Sequence, residues 1–371
     1  MISLCMITYN EEKYLKKCLE SIRWPISEII VVDTGSSDKT IEIAKSFDAR
    51  VFCYPLNDNF SAARNYSISK ATNPWILVLD ADEYLSNDDI DKLEDQIEIM
   101  ENENCLGSRL WRYDYYKNGG WSISSITRLF KNNPNVFYER SVNETISFSI
   151  KKTGSKIMVS DLIIHHLGFL KDSNYIDYKQ KKYINLLKKD ISFGDDSLRY
   201  YYAKEHLILH DTTIAHQICD EAYAIKKKPR LINLKGDIFL DENSMEKAQI
   251  YFKKVFELEI ENNSKFFWHA VDRLAEISFI IGDYEKALMW LQHLEKTKEI
   301  SSYVFANKGF IYENMGKYNE AINCYKIVES KNPEIDKILY YENINGYYTD
   351  TFKNFCGIRF HINKCKSFIN I

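Results

Sequence analysis

Trp75-Ile76-Leu77-Val78-Leu79-Asp80-Ala81-Asp82-Glu83 is a run of five apolar residues that ends in three carboxylates. An unbroken apolar run of this length reads as a strand covered on both faces, the kind found in parallel sheets. The acidic group then lies where the strand leaves the sheet. In extended geometry alternate residues point to one side, so Asp80 and Asp82 are expected to share one cation. Hard oxygen ligands suit Mg²⁺ or Mn²⁺, ions that also bridge phosphate oxygens.

The residues upstream alternate strand and helix signals. A strand at Ile2–Ile7 precedes a helix from Glu11 to Ile22. A strand at Glu28–Val32 runs into Asp33-Thr34-Gly35-Ser36-Ser37-Asp38 and a helix through Phe47, and a strand at Arg50–Tyr54 leads to a helix through Ala71. This order predicts a parallel sheet with right-handed crossovers. Ligands of such sheets gather beyond the carboxyl ends of the strands. A carboxylate at Asp33 is placed to accept a hydrogen bond from a nucleotide base or ribose. Gly35 allows a tight turn, and Asp38 is expected to cap the next helix. From Cys105 to His166 the pattern changes to short aromatic-rich strands, and after Asp172 amphipathic helices take over.

The helical half repeats. Gly309, Tyr312, Gly316, Ala321, Tyr325 and Pro333 have the spacing of a tetratricopeptide unit. Ala287 lies 34 residues before Ala321, Ala248 marks a third unit, and Ala215, 33 residues earlier, marks a fourth. Small residues in such units let helices approach, and aromatics fill between them. The tail beyond Pro333 is expected to cap the array.

Composition narrows the class. The chain has 371 residues, 45% hydrophobic and 27% charged, with a formal net charge of −4. That suits two folded domains and offers no polybasic patch for nucleic acid. No apolar stretch reaches the roughly 18 residues of a membrane span. The N-terminus reads as a first strand, and the eight dispersed cysteines suggest a reducing, cytoplasmic setting.

Thr8-Tyr9-Asn10-Glu11-Glu12, Val32-Asp33-Thr34-Gly35-Ser36-Ser37-Asp38, Asn59-Phe60-Ser61-Ala62-Ala63-Arg64-Asn65 and Leu79-Asp80-Ala81-Asp82-Glu83 together resemble the ordered motifs of family 2 glycosyltransferases. Arg128-Leu129-Phe130-Lys131, Val142-Asn143-Glu144 and His166-Leu167-Gly168-Phe169 extend the resemblance to about residue 170. It implies an N-terminal α/β domain of GT-A (Rossmann-like) fold over 1–172, while the repeat spacing predicts an all-α tetratricopeptide-like domain with its cap over 173–371. It further implies an inverting transfer from a UDP-sugar. Thr8, Tyr9, Asn10, Glu11, Asp33, Gly35, Arg64, Asp80 and Ala81 would hold the donor. Asp82, Asp80 and His166 would hold Mg²⁺ or Mn²⁺. His165 has no such support and is read as packing.

Displacement at a sugar carbon needs charge stabilisation on the departing diphosphate and a base for the acceptor. Glu144 is the candidate base and Glu83 its competitor, with a solvated turn residue as the plainer reading of Glu83. The family usually has histidine where Asn143 stands. A transferase joined to such repeats resembles the sublancin-type peptide S-glycosyltransferases, which implies a Cys or Ser acceptor in a bacteriocin-type peptide. It is also similar to bacterial enzymes that glycosylate lipooligosaccharide. The repeats have a competing reading as a homodimer contact, and the whole chain as a non-catalytic scaffold.

Overall fold

The computed structural model describes residues 1–116, 121–171, 173–192, 198–225, 228–295, 297, 301–335 and 358–369. The chain divides into one compact unit of Met1–Tyr115 with Ser122–Lys171 and another of Tyr116–Trp121 with Asp172–Ile371.

The first unit is built on β1 (Ile2–Thr8), β2 (Ile26–Asp33), β3 (Arg50–Cys53), β4 (Trp75–Val78), β5 (Glu83–Leu85), β6 (Gly107–Tyr115), β7 (Trp121–Lys131) and β8 (Ile157–His166). They form one eight-stranded sheet in the order β3-β2-β1-β4-β7-β6-β8-β5. β1 pairs in parallel with both β2 and β4, and β2 with β3. The chain therefore reverses its direction of progress at β1 and β4, the switch point where α/β sheets open a crevice.

The inner strands send apolar residues to both faces because both are covered. Leu4, Met6, Val31 and Leu77 join one core cluster, while Cys5, Ile30, Val32, Ile76 and Val78 join the cluster on the opposite face. The expectation of a parallel sheet holds throughout this half; the other half is mixed, with β6 parallel to β8. β7 runs antiparallel to β4, and β5 antiparallel to β8. The aromatic region also differs from the expected short strands, since β6, β7 and β8 have 9, 11 and 10 residues. Buried Tyr113, Tyr115 and Trp121 pack as sheet residues, in keeping with the aromatic-rich strands expected there.

In the second unit, helix pairs are joined by one recurring turn. His210, Asn243, Gly282 and Gly316 all have positive φ. At each, the next residue's N–H reaches back to close the helix: Asp211 to His206 O, Ser244 to Phe239 O, Asp283 to Ser278 O and Lys317 to Tyr312 O, all at 2.8–2.9 Å. Five residues after each turn stands Ala215, Ala248, Ala287 or Ala321, every one fully buried. All four units expected from the sequence are therefore present. The glycines act as expected: a Cβ on Gly236 would lie 2.6 Å from the Phe252 ring, and one on Gly309 equally close to the Tyr325 ring.

The segment 336–357 lies outside the described residues, so the cap expected beyond Pro333 is described only for the helix Ile358–Ile369. It is held through Glu313, which receives His361 Nδ1 at 2.7 Å, Lys364 Nζ at 2.6 Å and Tyr325 Oη at 2.9 Å. Burial alone would raise the Glu313 pKa, but His361 and Lys364 pull it down to about 2. A carboxylate depressed in the folded state stabilises above its ordinary pKa, and that contribution is lost as pH falls through the folded value. Glu313→Gln should therefore cost on the order of 2 kcal/mol at pH 7. Thermal unfolding of variant and parent should converge as pH falls from about 5 towards 2.

Candidate active site

The carboxyl ends of β1 and β2 are stitched by polar side chains. Asn10 has a φ of +53°, and its N–H donates to Ser36 Oγ at 2.8 Å while its Oδ1 accepts from Ser37 N at 2.8 Å. Glu11 N donates to Thr40 Oγ1 at 2.7 Å. Asp33 is buried, and its Oδ2 accepts the N–H groups of Gly35 and Ser36 at 2.9 Å, leaving Oδ1 with Thr8 Oγ1 at 3.4 Å. Gly35 has φ +118°, where a side chain is strained. Tyr9 is half exposed beside this turn. Asp38 accepts from Thr40 N at 3.0 Å, although Lys39 and not Asp38 occupies the cap position of the helix Thr40–Ser46.

The acidic stretch departs from the expected alternation. β4 stops at Val78, and Glu83 N donates to Asp80 O at 2.9 Å, so residues 80–83 form a turn. The two aspartates consequently meet different cations. Asp80 takes Arg64 Nη2 at 2.7 Å and Arg128 Nη2 at 2.6 Å, one on each oxygen. Asp82 takes Lys171 Nζ at 2.7 Å on Oδ2 and lies 3.7 Å from His166 Nε2 through Oδ1. The strand alternation expected to aim both aspartates at one point is thus corrected: a turn has no two-residue alternation. Burial opposes ionisation of Asp80, but Arg128 and Arg64 overcome it and hold its pKa well below the usual carboxylate range.

Arg64 lies on the helix Phe60–Ile68, whose first turn is capped by Asn59 Oδ1 at 3.0 Å from Ala62 N. Asn65 exchanges two hydrogen bonds with the Tyr138 backbone, at 2.8 and 2.9 Å, and this ties the helix to the segment bearing Glu144. Arg64 Nε then donates to Glu144 Oε1 at 2.7 Å. The guanidinium is buried and its Nη1 makes no hydrogen bond, so a surface arginine is excluded. Glu144 keeps 15% of its side chain exposed. Asn143 beside it has φ +49°, a conformation asparagine tolerates better than most residues.

Glu83 has no exposure at all. It accepts Arg128 Nη2 at 3.0 Å and Asp80 N at 2.9 Å, which corrects the solvated-turn reading. From that position it neutralises Arg128 and shapes the turn.

The pairing of β5 with β8 sets Glu83 opposite His166 and so brings Asp82 beside the imidazole. Asp114 Oδ1 lies 2.5 Å from His166 Nδ1, which leaves Nε2 to face Asp82. Burial disfavours the imidazolium, but Asp82 and Asp114 outweigh it and raise the His166 pKa. Gly168 allows this approach, since a Cβ there would stand 2.4 Å from His166 Nε2 and 2.9 Å from Asp82 Oδ2. His165 points into an aromatic stack with Tyr84 and Tyr115, as its packing role requires.

Four residues here had no role assigned from the sequence, although Arg128 stands in a quoted motif. Arg128 is buried on β7, immediately beyond the Leu129 that pairs with Leu77. A charged residue next to the apolar pair Leu129-Phe130 was the available signal. Arg112 and Asp114 alternate on β6 and pair at 3.0 Å. Lys171 bridges Asp82 and Glu11, at 2.7 and 2.5 Å, a juxtaposition with no local signal. Breaking a buried pair by removing one partner strands the other charge. Arg128→Met should therefore lower unfolding free energy by about 3–5 kcal/mol, measured by urea denaturation, whereas removing exposed Arg23 from its pair with Asp91 should cost under about 1 kcal/mol.

Among the described residues, no helix is long and apolar enough to cross a membrane. Residues 3–157 match the family model for glycosyl transferase family 2, and residues 229–259 and 302–326 match a tetratricopeptide repeat. A TPR repeat-containing protein of Synechococcus elongatus is 38% identical over 149 residues, 40% of this chain and 36% of that protein. The SPbeta prophage-derived glycosyltransferase SunS of Bacillus subtilis is 29% identical over 217 residues, 57% of this chain and 50% of its own length. The chain thus spans about a third to a half of the length of these curated relatives. The crystal structure of S. aureus TarS 1-349 in complex with UDP covers 76% of this chain and 91% of its own, at 16% identity and a TM-score of 0.38.

Proposed function

With a family 2 glycosyltransferase domain as the N-terminal unit of this chain, we propose an inverting transfer of a hexose, of glucose or N-acetylglucosamine type, from a UDP-sugar to a Cys or Ser side chain of a peptide. The observation that carries the reading is the gathering of the Thr8–Glu11 loop, Asp33, the Asp80–Asp82 turn and Arg64 at the carboxyl ends of adjacent parallel strands. The peptide acceptor is supported by the repeat unit, whose stacked helix pairs suit an extended chain, and by the relatedness to SunS, a glycosyltransferase.

The charge balance argues for a cation arriving with the donor. Asp80, Glu83 and Glu144 face the guanidinium groups of Arg64 and Arg128, and Arg112, shared with Asp114, lies 3.7 Å from Glu83. Asp82 and Glu11 share the one ammonium of Lys171. Taken together, the six carboxylates outnumber the four permanent cations, with His166 set between Asp82 and Asp114, and this surplus repels a bare diphosphate. Asp82 and His166 fit Mg²⁺ or Mn²⁺: they supply one oxygen and one nitrogen, Asp114 orients the imidazole, and Gly168 clears the space between them. Two protein ligands completed by phosphate oxygens and water are an ordinary site for such ions. Asp80 does not fit, because both of its oxygens are taken by arginines. When bound, the ion would offset charge growing on the departing diphosphate.

The chain's own groups do the rest. Arg64 Nη1 is buried without a hydrogen-bond partner, so the guanidinium has to shift from Asp80 before that donor meets a diphosphate oxygen. Its Nε fixes Glu144, which takes the proton as the acceptor sulfur or oxygen bonds to the anomeric carbon and the sugar–phosphate bond breaks. Asp33 and the Thr8–Glu11 loop hold the nucleoside. Asp82→Ala should lower UDP-sugar hydrolysis by about 100-fold or more, with the melting of the helical unit unchanged. Full metal-dependent turnover in that variant would defeat the reading. Incubation with UDP-glucose and a Cys-containing precursor peptide should add one hexose by mass; modification of lipid extracts and of no peptide would overturn the acceptor.

A further inference from the structure

Lys171 is a poor candidate for a passive surface charge. Its ammonium lies 2.7 Å from Asp82 Oδ2 and 2.5 Å from Glu11 Oε1, and the side chain is only 12% exposed. It reaches those carboxylates from the residue just after the short helix Gly168–Leu170. That helix begins at the glycine whose missing side chain lets His166 and Asp82 approach. The ammonium therefore sits on the same Asp82 carboxylate that fits a divalent ion. A charge of +1 and a charge of +2 bound to adjacent oxygens of one carboxylate repel each other strongly in a site this poor in solvent.

Resting on the transferase reading, we infer that Lys171 and the donor's divalent cation compete for Asp82, so that the ammonium holds the cation's place until the donor complex arrives. Binding of the ion transfers Asp82 from Lys171 to the metal. Glu11 remains as the ammonium's counter-ion, or the diphosphate takes that part. Without the ion, the pair spares Asp82 and Glu11 from lying unneutralised beside each other, a costly arrangement for two largely buried carboxylates. The metal's apparent affinity is accordingly reduced by the free energy needed to displace Lys171.

Two readouts test this without turnover. Mn²⁺ alone, titrated against the full chain and followed by the electron paramagnetic resonance of free Mn²⁺, should bind Lys171→Met at least about tenfold more tightly than the parent. In the unaltered protein, acetylation of Lys171 by a lysine-directed reagent, read by mass spectrometry, should rise several-fold when Mn²⁺ is added. Equal Mn²⁺ affinity in the two proteins, or labelling indifferent to Mn²⁺, would overturn the competition while leaving the transferase reading intact. If Asp82→Asn binds Mn²⁺ as well as the parent does, the cation site itself is misplaced and both fall together.

Discussion

Arg128 and Arg64 clamping Asp80 is the interaction around which the first unit's working end is arranged. The backbone turn at residues 80–83 is closed by hydrogen bonds, and Glu83, wholly buried, accepts from both that backbone and Arg128. Three elements converge because of it: the end of β4, the middle of β7 and the helix carrying Arg64. Buried ion pairs contribute little net stability when complete, since desolvation offsets the attraction. Their value lies in geometry. Each guanidinium here has one acceptable position, and the carboxylates on either side inherit that precision.

Pairing of the same kind explains how a strongly acidic corner tolerates burial. Asp82, Asp114 and Glu11 are each matched to a nearby nitrogen, and His166 is aligned between two carboxylates. The organisation is one of local neutralisation with a small negative surplus. A ligand that brings positive charge is welcomed by such a corner, and one that brings only negative charge is not.

Much of this was legible in the sequence. The apolar run Trp75–Leu79, the Asp33 turn and the order of strands and helices named the parallel half of the sheet correctly, because buried parallel strands leave an unmistakable composition. Alternation misled at Asp80 and Asp82, since it holds only while the chain stays extended, and a hydrogen-bonded turn begins at Asp80, two residues after the end of β4. The mixed half of the sheet was harder, because β6–β8 owe their extended form to partners distant in sequence. Lys171 and Glu11 are 160 residues apart, and no periodicity connects them. The repeats were legible for the opposite reason: Ala215, Ala248, Ala287 and Ala321 recur with the local turn that each follows.

That turn has a consequence for how the helical array tolerates change. Its intervals are 33 residues from His210 to Asn243, 39 to Gly282 and 34 to Gly316, yet its hydrogen bonds keep one length throughout. The extra residues fall away from the turn, mostly in the helices Met245–Glu259 and Lys265–Ile280, of 15 and 16 residues against 14 and 13 in the preceding interval. One rim of the array is thus a fixed hinge-line and the other an adjustable hem, where insertions lengthen the cloth without shifting its weave.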